Sequence, residues 1–322
     1  MTRPLFAEAS LAASLEAYRR VLGPWPFDAP PLIGPRDEHM QRLELGSGLP
    51  LASGQTLVGV QMVKGSWVGA NHNKNAGFCD HLTLRDCDLW GHEKWASRSY
   101  SMRHGNLVEH CSIRDVYLEH GLYWNVAGSS ETIPSLTVRR CLFENIGSQA
   151  LQFVQYGRED EYRTEDIAEG AMLPGGPIQV YSSLFRNVGY NRSGNARAAF
   201  ALSFFSSGHD VDVAGCFVDN SMQPTSRGGL MCHGGPGRKN LTVRGAIFLM
   251  GELEQTMFQV HSVPNVVIRN VTSYAQGGQN WLDIRNCPNV LIEGCVGNTS
   301  IHVDGTHVGS IEQGYKCGSF SV

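Results

Sequence analysis

One short phrase of alternating apolar and polar residues returns along the chain and limits the folds open to it. The phrase reads LTVRRCLF at 136–143, and close variants stand at 82–89, 241–248 and 290–297. When the variants are aligned on Cys141, eight residues fall in one reference column: Cys87, Cys111, Cys141, Ser183, Cys216, Ala246, Val271 and Cys295. The steps between them range from 24 to 42 residues, which is typical of a repeat protein.

Apolar side chains also repeat on either side of the reference column. Three positions earlier stand Leu84, Val108, Val138, Val180, Val213, Val243, Ile268 and Ile292. Two positions later stand Leu89, Ile113, Phe143, Phe185, Val218 and Phe248, and the pattern weakens to Ser273 and Gly297. Polar residues lie between them, among them Arg85, Glu109, Arg139, Arg244, Arg269 and Glu293. This period of two predicts strands with one buried face.

Each unit also holds a second apolar stretch, such as ALQFV at 150–154 or WLDIR at 281–285. Two or three short strands per unit, with no helical pattern between them, exclude leucine-rich and ankyrin repeats. The units are too short for propeller blades, which need about 40 residues. We therefore predict an all-β, right-handed, single-stranded parallel β-helix of about 8–9 coils.

The repeat divides the chain into three parts. Residues 56–305 hold the predicted β-helix, and 306–322 form a C-terminal cap or tail. In residues 1–55, Leu11, Leu15, Tyr18 and Leu22 recur at helical spacing before a proline-rich connector at 23–35. This region is interpreted as an N-terminal helical cap over the first coil, since open ends of a solenoid need covering. The alternative is a docking arm for a larger assembly.

Composition limits the partners and the compartment. The net charge of −4 does not favour nucleic-acid binding, and no apolar run is long enough for a membrane span. The N-terminus lacks a secretory pattern, so we expect synthesis in the cytoplasm without a signal peptide. The nine cysteines lack disulfide or metal spacing and are predicted to be unreactive thiols of the core. We expect no cofactor and no metal.

Strand alternation near the C-terminus predicts a set of outward polar side chains. Gln259, Asp283 and His302 would form one stack across coils, and His261, Arg285 and Asp304 the next. Arg285 and Asp304 would then be within reach of a salt bridge. These six residues are our candidate ligand-binding set, as a polar groove for a sugar chain; the alternative is a surface charge ladder.

Other polar features of the sequence are interpreted structurally. Asn145, Asn187 and Asn220, each four residues after the reference column, predict a short asparagine ladder. The acidic insertion at 157–176 reads as a solvated loop. A calcium site with Asp160, Glu161 or Asp166 and a contact with a partner are its alternatives.

The stretch SYSMRHGNLVEHC at 99–111 contains the tripeptide Arg103-His104-Gly105 just before a repeat strand. It resembles the RHG segment of the chondroitinase B–alginate lyase family, whose members are parallel β-helices. The resemblance implies that Arg103 and a lysine about one coil earlier, here Lys74, flank a uronate and catalyse β-elimination. It also adds His104 to the candidate ligand-binding residues. The acidic pair that precedes the lysine in that family is absent here.

Two functions follow from these observations. In the first, the chain resembles virion proteins of the pectin lyase-like superfamily. It would then be a structural and adhesive component of a phage surface, such as a head decoration or tailspike-like protein. Its partners would be other virion subunits or itself, as a homotrimer, and cell-surface polysaccharide. In the second, it is a secreted polysaccharide lyase acting on a uronate polymer. The missing secretory pattern favours the first, because virion proteins leave the cell by lysis.

Overall fold

A computed structural model shows a right-handed parallel solenoid made of strands throughout the part of the chain that it describes. That part comprises residues 41–43, 49–50, 52–63, 68–69, 81–91, 97–99, 105–127, 135–156, 177–189, 199–207, 210–221, 228–234, 240–253, 256–278, 280–311 and 319–321. Within it, 31 strands form three long sheets of 10, 11 and 10 strands.

The strands are numbered in chain order and grouped here by sheet. Sheet A contains β1 (Gln41–Leu43), β4 (Val60–Val63), β7 (Asp88–Trp90), β10 (Ser112–Val116), β13 (Leu142–Ile146), β16 (Leu184–Val188), β19 (Phe217–Asn220), β22 (Ile247–Leu253), β25 (Thr272–Gly278) and β28 (Val296–Gly297). Sheet B contains β2 (Leu49–Pro50), β5 (Val68–Gly69), β8 (Ser97–Ser99), β11 (Leu122–Ala127), β14 (Leu151–Tyr156), β17 (Phe200–Ser207), β20 (Gly228–Gly234), β23 (Thr256–His261), β26 (Trp281–Arg285), β29 (Ser300–Val303) and β30 (Thr306–Ser310). Sheet C contains β3 (Thr56–Val58), β6 (Thr83–Arg85), β9 (Asn106–Glu109), β12 (Leu136–Arg139), β15 (Ile178–Tyr181), β18 (Val211–Ala214), β21 (Asn240–Arg244), β24 (Asn265–Arg269), β27 (Asn289–Glu293) and β31 (Ser319–Ser321).

Each coil runs through sheet C, then sheet A, then sheet B, and nine such triplets extend from β3–β5 to β27–β29. In eight of the nine coils, the corner between sheets C and A is only two residues long. Its first residue has a φ between 47° and 62°; these residues are Asp86, His110, Arg140, Ser182, Gly215, Gly245, Asn270 and Gly294. The left-handed conformation turns the chain sharply, so the apolar residues before and after the corner both point inward.

The register follows the predicted columns from coil to coil. Along sheet C, Leu84 pairs with Val108, and the column continues in register to Ile292. Along sheet A, Leu89 pairs with Ile113, and that column continues to Gly297. The aliphatic and aromatic members of both columns are buried in one continuous core. The predicted inward face is confirmed.

The reference column occupies the corner between sheets C and A, and its cysteine side chains donate hydrogen bonds there. Cys87 Sγ lies 3.4 Å from the carbonyl oxygen of Leu57 in the previous coil and 3.3 Å from that of Arg85. Cys111, Cys141, Cys216 and Cys295 repeat this pattern. None of the seven cysteines in the described ranges forms a disulfide, and all are buried. Burial raises the pKa of the Cys216 thiol to about 12, which keeps it protonated and unreactive.

Two amide ladders run along the rod. In the predicted one, Asn145 donates to Asp115 and Asn187 donates to Asn145, whereas Asn220 bonds both backbone groups of Val188. The second ladder was not predicted and lies where sheet C strands begin. Its bonds run from Asn240 to Asp210, from Asn265 to Asn240 and from Asn289 to Asn265, at 2.7, 2.7 and 3.0 Å.

The described chain begins and ends in sheet pairing. Strands β1 and β2 precede residue 55, so the solenoid starts inside the region assigned to the N-terminal arm. Strands of two or three residues carry too little alternation to be read from a sequence. At the other end, β30 pairs antiparallel with β29 and β31 pairs antiparallel with β27. The predicted helix at 11–22 and the acidic insertion at 157–176 lie outside the described residues.

Candidate functional site

Five of the predicted ligand-binding residues lie on the outer face of sheet B, at its C-terminal end: Gln259, His261, Asp283, Arg285 and His302. Gln259 pairs in register with Asp283, and Asp283 pairs with His302, as the alternation predicted. The neighbouring column joins His233, His261 and Arg285. We refer to the set His233, Gln259, His261, Trp281, Asp283, Arg285, His302 and His307 as the histidine face.

A covered carboxylate organises this face. Asp283 is only 2% exposed, although its strand position points outward. Arg285 donates from Nε to Asp283 Oδ1 at 3.0 Å, and its Nη2 lies 3.0 Å from Oδ2. His261 Nε2 lies 3.3 Å from the same Oδ2. The hydrogen bonds and charge of Asp283 raise the pKa of Arg285, so the guanidinium stays charged while about half of it is exposed.

Arg285 therefore makes a different ion pair from the expected one with Asp304. Asp283 and Arg285 are two residues apart on one strand, so their side chains share a face and meet directly. Asp304 lies in the turn after β29 with a φ of 48°, and its Oδ1 accepts a hydrogen bond from the Asn286 backbone at 2.9 Å. The turn uses Asp304 to hold a neighbouring corner, and its charge makes only a lesser contribution to the raised pKa of Arg285.

Aromatic rings stack between coils across the histidine face. The ring centroids of His233 and His261 are 4.6 Å apart with the planes within 9°. Trp281 and His302 are also 4.6 Å apart, and His307 contacts His302 edge-on at 5.3 Å. Adjacent strands are about 4.8 Å apart, so the stacked rings face one another along the rod axis. The rings are partly exposed, although Nε2 of His233 is buried and Nε2 of His261 lies against the Asp283 carboxylate.

Three members of this face were not predicted from the sequence. Trp281 lies two residues before Asp283 on the same face of its strand, and His233 lies one coil before His261, so the strand alternation and the repeat could have found both. His307 could not, because it belongs to the antiparallel strand β30, where the repeat no longer applies.

The residues predicted to catalyse elimination, Lys74 and Arg103, lie outside the described residues, as does His104. Gly105, which completes the tripeptide, is described. Its φ is 70°, and its backbone N–H donates to Ser135 Oγ at 2.8 Å. A Cβ at this position would come within 2.2 Å of the His81 ring, so the turn requires glycine.

A second polar row lies on the outer face of sheet A, three positions after the reference column. This outer polar row consists of Arg114, Glu144, Arg186 and Asp219. Arg114 Nη2 lies 3.0 Å from Asp88 Oδ2, and Arg186 forms an ion pair with Glu144. Burial raises the pKa of Asp219 and lowers that of Arg186. The charges of this row alternate in the sequence at the same spacing, although the row was not among the predicted site residues.

The donor groups of the described ranges set the chemistry open to the protein. They contain no group of three histidine, cysteine or acidic side chains arranged to hold a metal ion. No helix in those ranges is long and apolar enough to cross a membrane. The histidine face offers one exposed guanidinium, imidazole edges and an indole edge, which suit a hydroxyl-rich ligand.

The fold and this face define a parallel β-solenoid with a polar, aromatic outer surface at one end. No protein-family model matches the chain, and no curated protein or solved structure is found to be similar to it.

Proposed function

We propose that this protein is a non-enzymatic structural and adhesive rod that contacts a glycan through its histidine face. The observation that carries the proposal is the stack of partly exposed rings beside Arg285, whose guanidinium is held in place by the buried Asp283 carboxylate. Buried anchoring fixes the donors before a ligand arrives, which reduces the entropy lost on binding. Sugar hydroxyls accept hydrogen bonds from such donors.

We further propose that the rod is a component of a phage particle, as a decoration or tailspike-like subunit. A solenoid with a continuous core and antiparallel closing strands suits a part that must persist outside the cell. The genes beside its coding sequence test this assignment. Capsid and tail genes are expected, whereas sugar transporters and lyases would contradict it.

Glycan adhesion is tested by binding of the full chain to an array of bacterial surface polysaccharides. Trp281→Ala should weaken binding about tenfold, equivalent to about 1.4 kcal/mol, because it removes the partner that holds the His302 ring. Arg269→Ala is the matched control, since Arg269 is exposed on sheet C and pairs with Glu293. Equal effects of the two variants, or no binding by the unmodified protein, would rule out adhesion through this face.

The alternative, β-elimination on a uronate polymer, stays a prediction of the sequence. If it is correct, the protein releases unsaturated ends from alginate, dermatan or pectate, and Arg103→Ala abolishes this without lowering the melting temperature. We expect no release from any of the three polymers.

A further inference from the structure

The outer face of sheet A carries an apolar strip that points away from the core. Leu142, Leu184, Phe217 and Ile247 pair in register on four successive strands, β13, β16, β19 and β22. The residues that follow them, from Phe143 to Phe248, point into the core. These four side chains therefore form a separate cluster, with Leu249 packed against it. We refer to the four residues as the outer strip.

The outer strip is covered. Its four side chains are 0 to 1% exposed, and the adjoining Arg114, Arg186 and Asp219 are at most 6% exposed. Trp90 Nε1 and Ser112 Oγ on the same face are buried with no hydrogen-bond partner among the described residues. These values belong to a single chain, so another segment of the same chain provides the cover. The described residues outside sheet A build the other two walls of the rod.

The composition of the covering segment is set by the face beneath it. It must bring an apolar stripe for the outer strip and tolerate the outer polar row, where two carboxylates, Glu144 and Asp219, adjoin Arg186. Residues 157–176 carry six acidic residues, which suits this face poorly. Residues 1–40 contain Leu11, Leu15, Tyr18 and Leu22 at helical spacing, and Arg19 would flank that stripe.

Length and connectivity agree with this choice. The outer strip spans about 14 Å, from three steps of ~4.8 Å, and a helix from Leu11 to Leu22 would span about 16 Å. The chain enters the described structure at β1, which is itself a strand of sheet A. The distance from β1 to β22 along the sheet is about 34 Å, from seven steps of ~4.8 Å. The 18 residues between Leu22 and Gln41 can extend over ~60 Å, so they are long enough to connect β1 with a helix on the outer strip.

We propose that residues 11–22 form an amphipathic helix that docks on the outer strip of sheet A, along the flank of the rod. This placement differs from a cap over the first coil and from an arm extended toward another subunit. It is independent of the proposed glycan contact, because the histidine face belongs to sheet B. It makes the outer strip an intramolecular docking site.

A photo-crosslinking amino acid in place of Phe217 tests the proposal in the full chain. Illumination and peptide mass spectrometry should recover crosslinks from position 217 to residues 11–22. Crosslinks to 157–176, to any other segment of the same chain, or to a second molecule would overturn it. The same probe in place of Phe248 is the matched control. That side chain is in the core against Phe258, so it should capture core residues only.

A second measurement covers the case in which the probe at Phe217 prevents folding. The probe is then placed at Leu15, where crosslinks to β13–β22 are expected. Crosslinks to residues 41–63 would show a cap over the first coil, and crosslinks to another molecule would show an intermolecular arm. A double-mutant cycle of Leu15→Ala with Leu184→Ala should also be non-additive in urea unfolding. The pair Leu15→Ala and Val308→Ala should be additive, since Val308 is exposed at the far end of the rod.

Discussion

At the scale of single residues, the strands place buried and exposed side chains next to one another. Val243 is fully buried in the core column of sheet C, whereas the next residue, Arg244, is half exposed. Arg244 bonds Asp212 at 3.0 Å and lies over the Tyr181 ring. Neighbouring positions therefore differ in what their substitution costs.

Replacing Val243 with Asp should destabilise the protein by several kcal/mol, because the carboxylate would be buried without a partner. Arg244→Ala removes an exposed ion pair and should cost no more than about 1 kcal/mol. Urea unfolding of both variants measures the difference. Similar losses in the two variants would contradict the assigned register.

Tyr181 makes the stability of the folded protein depend on pH, in a direction that follows from its pKa. Burial, and then the hydrogen bond and charge of Asp212, raise the pKa of Tyr181 from 10.0 to about 12. The folded protein thus holds this proton more tightly than the unfolded chain. Its contribution to stability is present below pH 10 and is lost as the pH rises from about 10 through about 12. Phenolate absorbance should show a late-titrating component that Tyr181→Phe removes; an unchanged titration curve in this variant would contradict the assignment.

At the scale of the strand and its turn, some glycines with a positive φ are needed only for their backbone conformation. Others are needed also because a side chain would not fit. Gly54 and Gly105 have similar φ values, 74° and 70°. A side chain at Gly54 would meet nothing within 4 Å, whereas one at Gly105 would meet His81. The two glycines therefore separate backbone strain from close packing.

Gly54→Ala should cost about 1–2 kcal/mol from the left-handed backbone alone. Gly105→Ala should cost about 1–3 kcal/mol more, because the methyl group also displaces the His81 ring. Thermal unfolding measures both, and adding His81→Ala to Gly105→Ala should recover part of the difference. An equal loss at the two glycines would show that the turn has room at Gly105.

At the scale of the whole molecule, the two antiparallel strands at the C-terminal end matter most. Strands β30 and β31 reverse the chain direction against the last parallel strands of sheets B and C. Open parallel edges pair readily with other chains, and covering them prevents growth of the stack. At this end of the rod the chain itself thus pairs the edges of β29 and β27.

Deleting residues 306–322 should expose the edges of β29 and β27 and cause concentration-dependent association of the rods. Light scattering of the purified protein measures this, and the full chain should keep one defined mass, as a monomer or as the predicted trimer. The variant His307→Ala, which keeps the β30 backbone, should behave like the full chain. If the truncated protein keeps the same number of chains per particle as the full chain, these strands do not protect the edges.

The sequence by itself determined the solenoid, its inward columns and the pairing of Gln259, Asp283 and His302, because a strand's side chains alternate and each coil repeats the last. Only the tertiary structure decided that Asp283 is covered, that His307 joins the face, and that the outer strip of sheet A is buried. The burial of Asp283 and of the outer strip depends on packing between residues distant in sequence, and the position of His307 depends on a reversed strand. No local period of the sequence encodes them.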